Sequence, residues 1–237
     1  MNIALLGYGK MGREIEKIAL TRGHKIVLKV DVDNANTYTV EELKQADAAI
    51  EFSTPDTAIA NIYKCFEANV PVVVGTTGWL DKLNEVTAKC ESENKGLFYA
   101  SNFSIGVNLF FKLSEQMAKL MNAYPDYKPS IEEIHHIHKL DAPSGTAITL
   151  AEHVLSQTPG KSKWVNNETQ EQEELGIVSK RIEEVPGTHT ITYTSEIDEL
   201  SLEHKAYNRK GFALGAVVAA EWMKEKQGVY GMKDLMH

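Results

Sequence analysis

The glycine-rich stretch Gly7-Tyr8-Gly9-Lys10-Met11-Gly12 constrains the fold of this 237-residue chain more than any other feature. It follows an apolar run at residues 2–6, which predicts a buried strand, and precedes residues 13–20, which predict a helix. In that setting a G-x-G-x-x-G turn is typical of a dinucleotide-binding fold. Its glycines allow a tight turn, close approach of a pyrophosphate and close packing of helix on strand.

Strand and helix patterns alternate through the first hundred residues of the chain. Apolar or β-branched runs predict strands at 25–30, 48–52, 71–74 and 96–100, and residues 41–45, 56–68 and 80–93 predict helices between them. Such alternation is typical of a parallel sheet covered by helices on both faces. We therefore expect an α/β fold with a Rossmann-type doubly wound parallel sheet.

The pattern changes after Pro125, where strands follow one another without regular helices between them. Strand patterns lie at 131–138 and within about 177–208, where residues 191–197 and 199–204 alternate in polarity; residues 107–121 and 213–226 predict helices, and the polar segment 158–176 a surface loop or hinge. We expect an α+β domain with a mixed open sheet here.

Composition and charge exclude some classes of partner. The formal net charge of −8 argues against a nucleic-acid partner. No apolar run approaches the ~18 residues of a membrane span, and the first residues lack a charged leader and a cleavage site. We therefore expect a soluble, cytoplasmic protein with no membrane partner.

The segment from His135 to Lys139 concentrates proton-transfer groups more densely than any other part of the chain. Residues 131–134 predict a strand that leads into it, and successive side chains of a strand point to opposite faces. His135 and His136 therefore have separate tasks. A histidine can give or take a proton near neutral pH, and Lys139 adds a positive charge or a second donor.

A turn at Pro143-Ser144-Gly145-Thr146 opens the next predicted helix. Pro143 suits a helix start, and Ser144 and Thr146 are residues that cap helices. Gly145 allows the backbone to approach a ligand closely. With Lys139 nearby, the free N–H groups and positive dipole end of a helix start make this turn a good seat for a carboxylate.

Two plainer interpretations apply to the same segment. A Ser-Gly-Thr turn before a helix is most often only a cap, and a His-His-x-His run can also bind a metal. Adjacent histidines on a strand diverge, however, and no Asp, Glu or Cys ligand stands at the usual spacing. We therefore expect no metal site.

The run His-His-x-x-Lys-x-Asp-Ala-Pro-Ser-Gly-Thr at residues 135–146 resembles the signature of the dihydrodipicolinate reductase family. Residues 51–55, 75–78, 102–108 and 228–236 are similar to other segments of that family. The resemblance implies an NAD(P)H-dependent oxidoreductase that passes a hydride to a cyclic unsaturated dicarboxylic imine. The product would be tetrahydrodipicolinate, in lysine and diaminopimelate biosynthesis.

The resemblance also implies roles for single residues. His135 would be the catalytic proton donor and acceptor, with Lys139 as a second donor. The substrate carboxylates would be held by His136, Lys139, Ser144, Gly145 and Thr146. Some family members carry arginine at the position of Ile137. The isoleucine is expected to weaken either one carboxylate contact or helix packing. For Asp141, orienting Lys139 and capping the turn are both open.

Asp31, at the end of the second predicted strand, bears on the choice of cofactor. A carboxylate there favours the free 2′-hydroxyl of NADH, and residues 32–34 include no arginine to receive a 2′-phosphate. NADH is expected to be preferred over NADPH, with dual use open because Lys10, Arg13 or Lys29 could reach a phosphate. The full set of expected cofactor-binding residues is Gly7, Tyr8, Gly9, Lys10, Met11, Gly12, Asp31, Phe52, Ser53, Gly75, Thr76, Thr77, Ala100, Ser101, Asn102, Phe103, Arg209 and Phe212.

The family pattern predicts a discontinuous first domain for the dinucleotide, residues 1–104 and 209–237. Residues 105–208 would bind the substrate and form a homotetramer. One rival is another two-domain dehydrogenase, which the Pro-Ser-Gly-Thr turn beside the histidines disfavours. The other is an NADH-sensing protein without catalysis, which would keep its function when His135 and Lys139 are replaced.

Overall fold

The computed structural model describes residues 1–208 and 210–236. Contacts divide the chain into two compact units, unit 1 (Met1–Ile105 with Lys210–His237) and unit 2 (Gly106–Arg209). The binding roles given to the two domains stay predictions. Within the described residues, no helix is both long enough and apolar enough to cross a membrane.

Unit 1 contains a six-stranded parallel sheet. Its strands are β1 (Asn2–Leu6), β2 (Lys25–Val30), β3 (Ala48–Glu51), β4 (Val72–Val74), β5 (Gly96–Tyr99) and β11 (Gly228–Tyr230), in the order β11-β5-β4-β3-β1-β2. The order reverses direction at β1, whose neighbours are β2 and β3. In such sheets ligands bind outside the carboxyl ends of the strands at this switch point. The predicted Rossmann-type sheet is confirmed.

Helices cover both faces of this sheet. They are α1 (Lys10–Thr21), α2 (Val40–Leu43), α3 (Pro55–Ala68), α4 (Leu83–Ser92, preceded by a 3-10 turn), α7 (Lys210–Met223) and α8 (Met232–Leu235). Because side chains alternate along a strand, Ile3 and Leu5 pack in one apolar cluster and Ala4 and Leu6 in another. Both faces of β1 are therefore buried, as its continuous apolar sequence predicts.

Unit 2 contains a mixed five-stranded sheet, as predicted. Its elements are α5 (Ile105–Met121, whose first residue belongs to unit 1), β6 (Lys128–His135), α6 (Gly145–Gln157), β7 (Lys163–Val165), β8 (Glu174–Arg181), β9 (Gly187–Thr194) and β10 (Glu199–Ala206). The order is β10-β9-β6-β8-β7, with β6 parallel to β8 and antiparallel to β9. β6 is therefore the middle strand of this sheet. Phe110 of α5 and Leu150 of α6 pack with Ile131 and Ile177 of the sheet.

Three short elements were not predicted as such. β7 lies inside the segment predicted to be a loop, and β11 and α8 lie in the tail that was matched only by resemblance. These two strands of three residues lack the β-branched run that predicted β4, and they are stabilised by their neighbours. Here β7 pairs with β8, and β11 pairs with β5.

Candidate active site

Four polar side chains from three strands meet at the carboxyl end of β6. Glu133 and His135 lie on the same face of β6, following the buried Ile131. In the sheet register His189 of β9 stands opposite Glu133, and Arg181 of β8 stands opposite His135. These four residues (Glu133, His135, Arg181 and His189) are called the β6 cluster below.

Glu133 has no solvent exposure and lies at the centre of this cluster. Its Oε1 accepts hydrogen bonds from the Ser144 backbone N–H (3.1 Å) and from Arg181 Nη2 (3.2 Å). Its Oε2 lies 3.4 Å from His135 Nε2 and 3.7 Å from His189 Nε2. Burial opposes ionisation of Glu133, but its contacts with His135 and Ser144 outweigh burial and hold the pKa of this carboxyl well below its ordinary value. Glu133 is therefore a buried carboxylate.

The two histidines of the cluster contact each other. Their Nε2 atoms lie 3.3 Å apart, and their rings meet edge to face with centroids 5.0 Å apart. Burial, and then the proximity of His135, lower the pKa of His189 to about 4. His189 is consequently neutral at neutral pH.

Gly187 allows the His135 ring to lie where it does. A Cβ at position 187 would lie 2.9 Å from Cε1 of that ring, and the φ of Gly187 is +157°. A side chain there would force the imidazole to move. The glycine that opens β9 thus belongs to the site, although it carries no chemical group.

Ser144 is the N-cap of α6, as predicted, and its polar groups point inward. Its Oγ accepts the Ala147 N–H (3.2 Å) and lies 3.1 Å from His189 Nε2. The next residue, Gly145, is exposed, and no atom of the described residues beyond its own turn lies within 4 Å of a Cβ built on it. Open space therefore lies beside Gly145, whereas the contacts of Ser144 give it a structural part in the turn. Gly145 and Thr146 stay the candidates for holding a carboxylate.

Lys139 and Asp141 form a pair in the loop after β6. Lys139 Nζ donates to both carboxylate oxygens of Asp141 at 2.7 Å. The same hydrogen bond lowers the pKa of the Asp141 carboxyl. Arg181 donates to the backbone oxygen of Asp141 (2.5 Å), which ties the loop to the β6 cluster. Of the two roles left open for Asp141, the structure favours orienting Lys139.

His136 and Ile137 lie outside the cluster. The His136 ring is half-buried, with its centroid 6.2 Å from that of exposed His138. Ile137 is exposed. The separation of His135 from His136 agrees with the alternation expected of a strand end.

The glycine turn of unit 1 has the geometry that a pyrophosphate site needs. Gly7 has a φ of +101°, and a Cβ on Gly12 would lie 2.3 Å from the Gly7 carbonyl oxygen. Neither position tolerates a side chain. No atom lies within 4 Å of a Cβ built on Gly9, which caps α1 and is exposed. The turn is thus tight on its protein side and open at the helix start.

The loop after β2 is ordered around Asp31. Asp31 Oδ1 accepts the Val32 N–H (2.8 Å), and Asn34 Oδ1 accepts the Asp31 N–H (2.7 Å). Nearby, Lys29 Nζ lies 2.6 Å from Glu16 Oε1 and over the Tyr8 ring. One of the three cations that could reach a 2′-phosphate is therefore already paired.

The loops after β3 and β4 are joined at their first residues. The Ser53 N–H donates to Thr76 Oγ1 (2.8 Å), and the Phe52 ring fills the place of a side chain at Gly75. The Phe103 side chain is buried against Phe52, so only the backbone of Phe103 is a candidate for ligand contact. The other candidates of unit 1 lie on the loop after β4 (Thr77), on the loop after β5 (Ala100, Ser101 and Asn102) or near the starts of α1 and α7 (Tyr8, Lys10, Met11 and Phe212). Arg209 lies outside the described residues.

The β6 cluster offers three possible metal ligands, since atoms of Glu133, His135 and His189 lie within 4.8 Å of one another. Two observations fit this use poorly. Arg181 already pairs with the Glu133 carboxylate, and His189 Nδ1 finds no partner among the described residues. Metal-binding histidines generally donate their second N–H to a partner. The donor set suits a hydrogen-bonded cluster better than a metal centre.

Three members of the β6 cluster were not predicted from the sequence: Glu133, Arg181 and His189. Glu133 could have been found, because strand alternation places it on the same face as His135. The other two residues are far from His135 in sequence, and only the pairing of β6 with β8 and β9 brings them near.

Comparison with known proteins gives consistent matches along the chain. Residues 1–103 match the family model described as dihydrodipicolinate reductase, N-terminus, and residues 106–236 match the corresponding C-terminus model. A 4-hydroxy-tetrahydrodipicolinate reductase of Christiangramia forsetii is 51% identical over 236 residues, covering 100% of this chain and 98% of that protein. One of Neisseria gonorrhoeae is 32% identical, covering 93% of this chain and 83% of that protein.

Solved structures give the same result. The dipicolinate-bound dihydrodipicolinate reductase of Paenisporosarcina sp. TG-14 has a TM-score of 0.79 and 26% identity, covering 99% of this chain and 98% of that one. A probable dehydrogenase from Thermotoga maritima has a TM-score of 0.63 at 9% identity, covering 99% and 92%. The second likeness concerns the fold alone.

Proposed function

The chain belongs to the dihydrodipicolinate reductase family, and from that premise we propose that it reduces a cyclic unsaturated dicarboxylic imine with NAD(P)H to give tetrahydrodipicolinate. The step belongs to lysine and diaminopimelate biosynthesis. One observation carries the proposal to this chain: the β6 cluster holds His135 beside a turn that opens a helix and beside the lysine-bearing loop. This arrangement supports a proton donor and a seat for carboxylates at one site.

The residues of unit 2 divide the chemical work. Hydride addition leaves negative charge on the substrate, and His135 supplies the proton that quenches it. Lys139 is the second donor, held in place by Asp141. Lys139, His136 and the amides of Gly145 and Thr146 hold the carboxylates through charge and the helix start together.

The residues of unit 1 fit a nicotinamide dinucleotide, which supplies the hydride when bound. The exposed start of α1 at Gly9 suits its pyrophosphate, and the joined loops at Ser53 and Thr76 lie at the same sheet edge. NADH is preferred over NADPH, because Asp31 repels a 2′-phosphate and Glu16 already neutralises Lys29.

A coupled assay tests the proposed reaction. The product of the preceding synthase is added with NADH or NADPH, and nucleotide oxidation is followed by absorbance. Turnover with this substrate, faster with NADH at low cofactor concentration, is expected. Turnover only with an amino acid or a sugar would favour another dehydrogenase. Cofactor binding without turnover of any of them would favour an NADH-sensing protein.

The assembly and location expected from the family are proposals too. A homotetramer would use the sheet of unit 2, whose edge strand β10 exposes Leu200 and other residues on both of its faces. Exposed edge strands are surfaces that proteins commonly cover. Light scattering of the purified protein tests the tetramer, and a monomer at all concentrations would exclude it. The proposed location is the cytoplasm, which fractionation of cells tests.

A further inference from the structure

We propose that Glu133 is a positioning residue for proton transfer: its buried carboxylate accepts the Nε2–H of His135 and leaves Nδ1 as the nitrogen that exchanges a proton with the substrate. This role rests on the proposed function of His135. To that function, the role of Glu133 adds which ring nitrogen of His135 exchanges the proton and which residue selects that nitrogen.

The two carboxylate oxygens of Glu133 differ in their hydrogen bonds. Oε1 accepts from Ser144 and Arg181, whereas Oε2 is buried and has no hydrogen bond of good geometry from any described residue. A buried carboxylate oxygen left unpaired is costly. His135 Nε2 at 3.4 Å is nearer to Oε2 than His189 Nε2 at 3.7 Å.

The partners of His189 indicate which of the two histidines donates to Glu133 Oε2. His189 Nε2 has a closer partner in Ser144 Oγ, at 3.1 Å. His189 Nδ1 has no partner among the described residues, and an unpaired acceptor is tolerated better than an unpaired N–H. The single proton of neutral His189 therefore lies on Nε2 and points to Ser144. His189 Nε2, which lies 3.3 Å from His135 Nε2, then carries a proton and cannot accept one, so the Nε2–H of His135 is left for Glu133.

Gly187 lies against the other edge of the His135 ring. A Cβ on residue 187 would stand 2.9 Å from Cε1 and 3.3 Å from Nδ1 of that ring. Because residue 187 is glycine, it places no side chain against this edge. The charged and titratable groups around the ring are Glu133 on its own strand, His189 on β9 and Arg181 on β8.

The proton count follows from this arrangement. Once a bound nucleotide had supplied its hydride, protonated His135 would give the Nδ1 proton to the resulting substrate anion. His135 becomes neutral and keeps its Nε2–H on Glu133, which stays a carboxylate throughout. Solvent returns a proton to Nδ1 for the next turnover.

The tautomer of His135 is the direct test. Full-length protein labelled with ¹⁵N-histidine is observed by long-range ¹H–¹⁵N correlation at about pH 9, where an ordinary histidine is neutral. The signals of His135 are identified by their loss in His135→Asn. We expect Nε2–H in the wild type. Nδ1–H in the wild type would overturn the proposal.

Glu133→Gln makes the test sharper. The amide oxygen can keep the hydrogen bonds from Ser144 and Arg181, which turns the amide NH₂ toward His135 Nε2. The neutral ring should then switch to Nδ1–H. The kcat should fall by about 10²-fold or more, while substrate KM and NADH affinity stay within about threefold. Glu133→Asp, which keeps the charge, should recover part of the kcat.

Glu132→Gln is the matched control. Glu132 stands on the opposite face of β6, where it pairs with Lys180, and its replacement should leave kcat unchanged. A normal kcat in Glu133→Gln, or an equal loss of NADH affinity, would overturn the positioning role. If Glu133→Gln does not fold, the wild-type tautomer still decides. Normal turnover in His135→Asn would instead refute the proposed function of His135, whatever its tautomer.

Discussion

Each unit buries a glutamate near the carboxyl end of a central strand, and the two have opposite electrostatics. Glu51 ends β3, Glu133 lies near the end of β6, and neither is exposed to solvent. Burial raises the pKa of Glu51, although Ser53, Thr76 and Asn61 donate hydrogen bonds to it. The pKa of Glu133 is instead held well below its ordinary value.

The neighbours of the two carboxyl groups account for this difference. Around Glu51 the donors are neutral hydroxyl and amide groups, which compensate only part of the desolvation. Around Glu133 the contacts with His135 and Ser144 more than offset the desolvation, and Arg181 pairs with the same carboxylate. Glu51 therefore supports the loops that follow β3 and β4, whereas the charge of Glu133 is available to the chemistry of unit 2.

The largest effect that should separate the two units is that of His135→Asn. General acid catalysis contributes about 10²- to 10⁴-fold, so kcat should fall by a factor in that range while NADH affinity is kept. Steady-state kinetics and NADH titration measure the two quantities. His138→Asn, at an exposed position, is the control with little expected effect. Equal losses of turnover and NADH affinity would show that unit 2 does more than supply a proton.

Asp31→Ala should have the reverse signature. Removing the carboxylate takes away a contact to the ribose and a repulsion of a 2′-phosphate, so NADH affinity should fall about tenfold and NADPH affinity much less. Fluorescence titration with each nucleotide checks this, with the exposed Asp33→Ala as control. A uniform loss for both nucleotides would contradict the ribose contact.

His189→Gln should change how stability depends on pH. The folded pKa of His189, about 4, lies below its ordinary 6.5, so the unfolded chain binds more protons between these values. Stability is then lost as the pH falls through this window, by roughly 3 kcal/mol for His189 alone. Urea unfolding at about pH 7 and about pH 4 should show a smaller loss in the variant than in the wild type. Parallel losses in both proteins would mean that His189 is not buried as a neutral ring.

Glu51→Gln should have the smallest effect. Because its folded pKa is raised above 4.5, the stability that this carboxyl contributes is present at low pH and lost as the pH rises through the folded pKa. Glutamine, which does not ionise, should match the wild type in acid and become the more stable of the two at higher pH. Thermal unfolding across pH measures this. A variant that is less stable at every pH would remove the contrast with Glu133.

Much of unit 1 could be predicted from sequence because its signals are local. The strand before Gly7 and the helix after it lie within one short segment, and their boundaries follow from apolar periodicity. β11 could not be predicted, since its three residues form a strand only by pairing with β5.

The site of unit 2 was predicted in part. The histidines, Lys139 and the helix cap follow from one continuous motif, whereas Arg181 and His189 depend on which strands become neighbours of β6. Sequence periodicity does not specify that order. The inward orientation of Ser144 also depends on His189, which lies 45 residues away.

The register of the unit 2 sheet has a further consequence. Because Glu133 faces His189 on one neighbouring strand and His135 faces Arg181 on the other, sliding either neighbour by one residue would turn its member to the far side of the sheet. Such a slip could preserve the secondary structure and the apolar composition of the unit and still abolish activity. Insertions that change the length of the connection between β8 and β9 are therefore predicted to inactivate the enzyme more often than substitutions of the connecting residues themselves.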